Sequence, residues 1–286
     1  MKKFLSLALA VLMLFGCVAM LASCGDDAKV KIIDIKLTDE EYAYLIKKGN
    51  TELQSDFNAF LAEIKENGEF QKIVDKYFKG EGTKVGVTAG NLDAANNDDT
   101  FIVVTNCPFE PFEYVGADGK LYGIDIEIAK AYAESRELNL VIKNLPQFDP
   151  IFDQVEAGLA DIGMAGITIS EDRLASFDFT TAYYNASQKI IVPADCKDFD
   201  DCKTAEDVEK ILKGLKDKSI GYQTGTTGNW YVAGDADWGY DGFSNVKAKG
   251  YDTALDAIND MLNGNSSAVV VDEAPGTAMV KGVNGN

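Results

Sequence analysis

Two stretches share one plan and set the architecture: Val155–Thr168, VEAGLADIGMAGIT, and Met261–Pro275, MLNGNSSAVVVDEAP. Each runs from a helix end through a glycine turn into a short strand. Each then places a polar residue, Thr168 or Asp272, at or just beyond the strand's C-terminal end. In open α/β sheets, ligands collect at that edge. Two such edges facing one another make a cleft between two lobes.

The surrounding sequence extends each half. From Thr100, TFIVVTN reads as a buried strand, GIDIEIAKAYAESREL as an amphipathic helix and NLVIKNL as a strand. FDPIFDQVEAGLA and DIGMAG supply the next helix and strand. This β-α-β-α-β alternation predicts a mostly parallel sheet flanked by helices, over residues 100–187. A second series covers 188–286: KIIVP, SIGYQ, VKAKGY and SAVVVD as strands, with helices at TAEDVEKILKGLKD and DTALDAINDMLNG and a loop-into-helix at TGTTGNWYV. Nearer the front, VKIIDIKL and EYAYLIKKGN read as strands. Thr51 and Gln54 form a capping box for a helix carrying Leu53, Phe57, Phe60, Leu61 and Ile64 at helical spacing. A second helix follows Gly68. Residues 83–99, rich in Gly, Asn, Asp and Ala, predict a flexible linker.

Composition removes several functions. The chain has 286 residues, of which 46% are hydrophobic, enough for a sizeable core. A net charge of −19 opposes binding to nucleic acid or an anionic membrane surface. Histidine is absent, which excludes Ser-His-Asp, Cys-His and His-zinc chemistry. GDADWGYDG does not match the spacing of a helix–loop–helix calcium site, and no phosphate-loop motif occurs. No cofactor is expected.

The first 24 residues read as a targeting segment. Lys2 and Lys3 precede an apolar run from Phe4 to Ala22, almost long enough to span a membrane. LASC, ending at Cys24, follows with Gly25 and resembles the bacterial lipoprotein signal. On that reading the chain is cut before Cys24, Cys24 is lipidated, and the mature protein is anchored outside the cytoplasmic membrane. Cys196 and Cys202 bracket KDFDD and form a candidate disulfide; Cys107 is left unpaired.

DIGMAGITISEDR, followed by FDFTTAYY, closely resembles the amino-acid-binding branch of the bacterial extracellular solute-binding proteins, family three, of ABC importers. TNCPFEPFEYVGADGKLYGIDIEIAKA, GYQTGTTGNWY and VVVDEAP are similar to further parts of that family. The resemblance spans nearly all of the mature chain. It implies a two-lobed, type II periplasmic-binding-protein fold that closes by hinge rotation on an L-amino acid and docks as a monomer on an ABC permease. The hinges would lie near Tyr183–Gln188 and Tyr44–Asn50.

The resemblance also implies roles for single residues. Arg173, which would otherwise make a surface salt bridge, clamps the ligand's α-carboxylate. Asp272, otherwise a helix cap, binds the α-ammonium, helped by the Gly166 carbonyl, and Thr168 meets the ligand through its main chain and hydroxyl. Thr227, otherwise an N-cap, supports the carboxylate from the second lobe. Phe109 and Phe148, otherwise core residues, sandwich the ligand side chain. Asn106 stands where cation-specific members often carry aspartate, which counts against a lysine or arginine ligand. Glu110 and Glu113 lie nearby and read as solvent-facing.

One departure concerns order. The family's closing passage corresponds here to residues 30–82, ahead of the opening passage at Thr100. Residues 30–50 would be a second-lobe strand and hinge, and 51–82 the terminal helices of the first lobe. The sequence therefore reads as circularly permuted; a truncated tandem is disfavoured because no segment repeats. Two other functions share the fold: a cyclohexadienyl-dehydratase-like enzyme, with Glu110 or Glu113 as acid, and a ligand sensor that signals to a receptor.

Overall fold

The computed structural model describes residues 28–90 and 99–285. The targeting segment, Cys24 included, lies outside them.

The chain begins on the second lobe with β1 (Val30–Ile33), crosses through β2 (Glu40–Tyr42) and enters the first lobe with β3 (Leu45–Lys47). Helices α1 (Thr51–Glu66) and α2 (Glu69–Phe78) follow. The rest of the first lobe comprises β4 (Thr100–Thr105), the hairpin β5 (Tyr114–Val115) and β6 (Leu121–Tyr122), α3 (Ile124–Ser135), β7 (Asn139–Asn144), α4 (Pro150–Glu156), β8 (Ile162–Gly163), α5 (Glu171–Ser176) and β9 (Phe177–Phe179). The chain returns through β10 (Tyr184–Ala186). It then builds β11 (Gln188–Pro193), α6 (Ala205–Gly214), β12 (Ser219–Gln223), α7 (Thr227–Ala233), β13 (Lys247–Tyr251), α8 (Ala254–Leu262), β14 (Ala268–Asp272) and α9 (Glu273–Val283).

Each lobe holds a five-stranded sheet, ordered β7-β4-β8-β3-β9 in the first and β1-β11-β14-β12-β13 in the second. Both sheets are mixed. β4 pairs parallel with β7 and β8, and β12 parallel with β13 and β14, while β3, β9, β1 and β11 pair antiparallel. The parallel half of each sheet comes from the βαβ alternation. The antiparallel strands are those next to the crossings, where the chain leaves for the other lobe or arrives from it without a crossover helix.

The two crossings pair with one another. β2 and β10 form an antiparallel ribbon, Tyr42 opposite Tyr184. This corrects one hinge: it lies at Glu40–Tyr42 and not at Tyr44–Asn50, because Leu45–Lys47 are already paired with β8 and β9 inside the first lobe. The expected strand at EYAYLIKKGN is thus two short strands belonging to different sheets.

Helix α1 buries Phe57, Phe60, Leu61 and Ile64, the face its spacing predicted. Its cap is one residue earlier than expected: Asn50 Oδ1 accepts from Leu53 N at 3.3 Å, while Gln54 reaches the Phe179 carbonyl at 2.7 Å and ties α1 to β9. Helix α2 is held by Glu127 of α3, a buried carboxylate that accepts from Lys76, from the Tyr77 hydroxyl at 2.7 Å and from Val85 N at 2.9 Å. Three donors satisfy it, so its burial costs little. Both helices therefore complete the first lobe.

The expected flexible linker is in part docked structure. Val87 exchanges backbone hydrogen bonds with Leu121 at 2.8 and 2.9 Å, and the Ala89 carbonyl accepts from Ile142 N at 2.7 Å. Val85 and Val87 are the apolar positions of that segment. Residues 91–98 lie outside the description.

Helix α9 was not visible in the sequence, because Pro275, Gly276 and Gly282 break its pattern. Pro275 falls in the first turn, where a missing N–H leaves no intrahelical bond unmade. Buried Lys189, paired with Asp34 at 2.5 Å and Glu273 at 2.7 Å, fixes the start of that helix beside β11. Cys196 and Cys202 are free thiols, so the candidate disulfide is absent; both pack against the second-lobe core that includes Phe199 and Leu212.

Candidate functional site

The first-lobe and second-lobe sheets present their strand ends to one another. Asn106 follows β4, Ala165 and Gly166 follow β8, Gln223 ends β12 and Asp272 ends β14. Between them lies a small cavity of about 20 Å³, lined by Asn106, Phe109, Glu113, Phe148, Ala165, Gly166, Thr168, Arg173, Gln223, Thr226, Thr227 and Asp272. All eight residues assigned to ligand binding on the resemblance therefore converge on one space.

Direct contacts close this cavity. Arg173 Nη2 donates to the Gly225 carbonyl at 3.0 Å, and Gln223 Nε2 to Asn106 Oδ1 at 2.8 Å. Gln147 reaches Asp252 at 2.9 Å, and Thr227 Oγ1 lies 3.3 Å from Thr168 Oγ1. The Tyr42 hydroxyl, from the crossing ribbon, donates to Asp272 Oδ1 at 2.5 Å. Gly225 makes the closure sterically possible. Its φ is +79°, and a Cβ there would lie 1.6 Å from Asp149 Oδ1 of the first lobe. Gly166 (φ +54°) similarly gives the Phe109 ring room, since a Cβ would lie 2.6 Å from it.

Arg173 sits in α5, whose cap, Ser170 Oγ, accepts from Arg173 N at 3.1 Å. The residue is 6% exposed. Its Nη1 donates to the Thr168 carbonyl at 2.8 Å. The rings of Phe152 and Trp238 flank the guanidinium at 4.8 Å and that of Phe148 at 5.6 Å. Among the described residues it has no ion-pair partner within reach. Burial draws its pKa down to about 10, against the pull of Glu40, Asp149 and Asp272. A buried, oriented, unpaired guanidinium is a receptor for a carboxylate.

The opposite pole is acidic. Asp272 is buried, and that burial, with Glu40 nearby, holds its carboxyl above the usual range despite the Tyr42 hydrogen bond. Asp125, under Gly166, takes three donors: Gly166 N at 3.1 Å, the Tyr183 hydroxyl at 3.0 Å and the Tyr44 hydroxyl at 3.2 Å. Glu113, 1% exposed, takes none among the described residues: neither carboxylate oxygen has a hydrogen-bond partner. Burial, then Asp125 and Asp272, push its pKa well up.

Glu113 thus faces the cavity and not solvent, correcting the expectation for this residue. Its neighbour Glu110 is half-exposed, 3.7 Å from Lys84. Period alone could not separate the pair, because both lie in the turn where Phe109 N bonds the Glu113 carbonyl at 2.7 Å. Gln223 and Trp238 also escape a reading of the sequence alone. The GDADWGYDG loop, which lacks calcium-site spacing, lays the Trp238 indole on Arg173.

A two-lobed fold with a charged cavity at facing strand ends is the arrangement of a cleft-type ligand-binding protein. The model of the family "Bacterial extracellular solute-binding proteins, family 3" matches residues 14–80 and 101–268, and the chain belongs to this family. A probable histidine-binding protein of Neisseria gonorrhoeae is 30% identical over 181 residues, covering 63% of this chain and 62% of that one. ABC transporter arginine-binding protein 1 of Escherichia coli is 29% identical over 166 residues, 58% of this chain and 60% of that one. This chain therefore spans about three fifths of the length of these relatives. The structure of holo ArgBP from T. maritima aligns with a TM-score of 0.56 and 28% identity, over 66% of this chain and 76% of that one.

Proposed function

We propose that the protein captures an L-amino acid in the interlobe cavity and delivers it to an ABC permease for import, without catalysing a reaction. The charge pattern of the cavity is what supports this. An unpaired buried cation, Arg173, and two buried acids, Asp272 and Glu113, line the same closed space. A zwitterion satisfies both poles, carboxylate on Arg173 and ammonium at the acids. Phe109 and Phe148 would flank the ligand's side chain, Asn106 and Gln223 its far end, and Thr168, Gly166 and Thr227 its backbone groups.

Moving an open–closed equilibrium from 1:99 to 99:1 needs about 5.5 kcal/mol of differential affinity. Charged hydrogen bonds at each pole, about 1.5–3 kcal/mol apiece, supply that order of energy. The protein acts as a monomer held outside the cytoplasmic membrane by a lipid on Cys24.

The test is calorimetric titration of residues 25–286 against the twenty L-amino acids, after unfolding and refolding to strip carried ligand. Micromolar or tighter binding of one or a few is expected; no binding by a folded protein would refute the reading. One observation favours a second reading: Glu113 is a buried acid in the cavity, as a dehydratase would need. Turnover of prephenate or arogenate would establish it.

We further infer that the chain is a circular permutant. Supporting this, the family model matches in two pieces, and the segment order runs second lobe, first lobe, second lobe. Asn284 Oδ1 accepts from Lys29 N at 2.8 Å, so the outer segments lie side by side. A chain reordered as 99–285 followed by 28–90, which keeps the docked segment around Val85 and Val87, is expected to fold and bind with unchanged affinity; failure to fold would count against the inference.

A further inference from the structure

We propose that Glu113 is a ligand-binding carboxylate: the ammonium group of the captured amino acid lies between Glu113 of the first lobe and Asp272 of the second. This rests on the amino-acid-binding reading above and adds a contact to it.

Glu113 has an unmet demand for donors. It is fully enclosed, lines the cavity, and has no donor on either oxygen among the described residues. A carboxylate in that state is rare, because burial without a partner costs more than most folds tolerate. The surrounding groups deepen the demand. Asp125, on α3, is satisfied by its three donors and repels Glu113. Asp272, at the end of β14, repels it from the other lobe and itself takes the Tyr42 hydroxyl on one oxygen. Tyr44 and Tyr183 spend their hydroxyls on Asp125, and Cys107 is a neutral thiol pushed up by burial. Arg173 donates to the Thr168 and Gly225 carbonyls and makes no bond to Glu113. Neither oxygen of Glu113 receives a hydrogen bond from a described residue. An ammonium has three N–H groups and a full positive charge, and it can serve Glu113 and Asp272 together.

Binding is then linked to protons. Without ligand, the crowded acids retain a proton that free carboxyls would have lost. The arriving ammonium takes the place of that proton, which leaves to the buffer. Affinity therefore rises with pH across the range in which the acids titrate, by at most about tenfold per pH unit for each proton released.

The test uses the tightest binder among the twenty L-amino acids and its α-hydroxy acid counterpart, in which a hydroxyl replaces the ammonium. Titrations in buffers of different ionisation heat give the proton count. Wild-type protein is expected to release close to one proton near neutral pH. Glu113→Gln, which mimics the protonated acid in shape, is expected to bind the amino acid at least about 10-fold more weakly. It should release fewer protons, and its loss should be smaller for the α-hydroxy acid than for the amino acid. Binding by Glu113→Gln within twofold of wild type, with the same proton count, would overturn the proposal and leave Glu113 a structural acid. If that variant does not fold, wild type decides alone. Affinity independent of pH, with no proton release, overturns the proposal. Proton release, with pH-dependent affinity for the amino acid but not for the α-hydroxy acid, supports it. Failure of wild type to bind any amino acid would overturn the functional reading itself, and this proposal with it.

Discussion

The two poles of the cavity are built differently. At the cationic pole of the closed form, Arg173 is oriented by two carbonyls and walled by three aromatic rings. At the acidic pole, the carboxylates crowd one another and Glu113 is left without a donor among the described residues. Recognition is therefore pre-organised on one side and held in tension on the other. The guanidinium can stay charged because carbonyl dipoles and ring faces replace water. Adjacent acids cannot all stay charged without a cation between them.

The heaviest loss should come from the finished pole. Arg173→Ala removes the only charged receptor for the carboxylate on the described cavity wall. Affinity is expected to fall by about 3–4 kcal/mol, some two to three orders of magnitude, read by calorimetry. Asp272→Asn should cost less, about 2 kcal/mol, because on this account Glu113 still holds the ammonium. Equal losses for the two variants would erase the contrast between the poles.

Closure gives a third prediction. Gly225→Ala places a methyl against Asp149 and strains a positive φ. We expect about a tenfold loss of affinity and a more open particle by small-angle scattering. Adding Asp149→Ala should recover part of the loss. No recovery would mean that backbone strain, and not the collision, sets the cost.

The mildest change concerns stability. The raised carboxyls of Asp125, Asp272 and Glu113 bind protons more tightly folded than unfolded. Their contribution is complete below about pH 4, where free carboxyls titrate, and is lost as pH rises through the raised folded values. A tenfold difference in proton affinity is worth about 1.4 kcal/mol, so the melting temperature without ligand should drop by several degrees from about pH 5 to about pH 8. Saturating amino acid should flatten the slope. A slope unchanged by ligand would place its origin in the overall negative charge.

Much of this was legible in the sequence. Strands with polar C-terminal ends marked the cavity floor, because a strand's edge carries its ligand-facing residue in a fixed place. Helix α1 was legible because Phe57, Phe60, Leu61 and Ile64 keep helical period. What period cannot carry was missed. Glu113 and Glu110 occupy one turn, and only the fold decides which is buried. The hinge at Glu40–Tyr42 was displaced because two strands of different sheets run together in sequence. The docking of Val85 and Val87 was hidden in a glycine-rich stretch, since isolated bridges need no repeating pattern.

A decisive comparison sets the tightest-binding L-amino acid against its α-carboxamide, which keeps the ammonium and side chain and loses only the negative charge. If a zwitterion spans Arg173 and the acidic pole, the amide should bind at least about 100-fold more weakly to wild type and lose little more in Arg173→Ala. Equal affinities of acid and amide for wild type would contradict the account, because Arg173 would then receive no carboxylate.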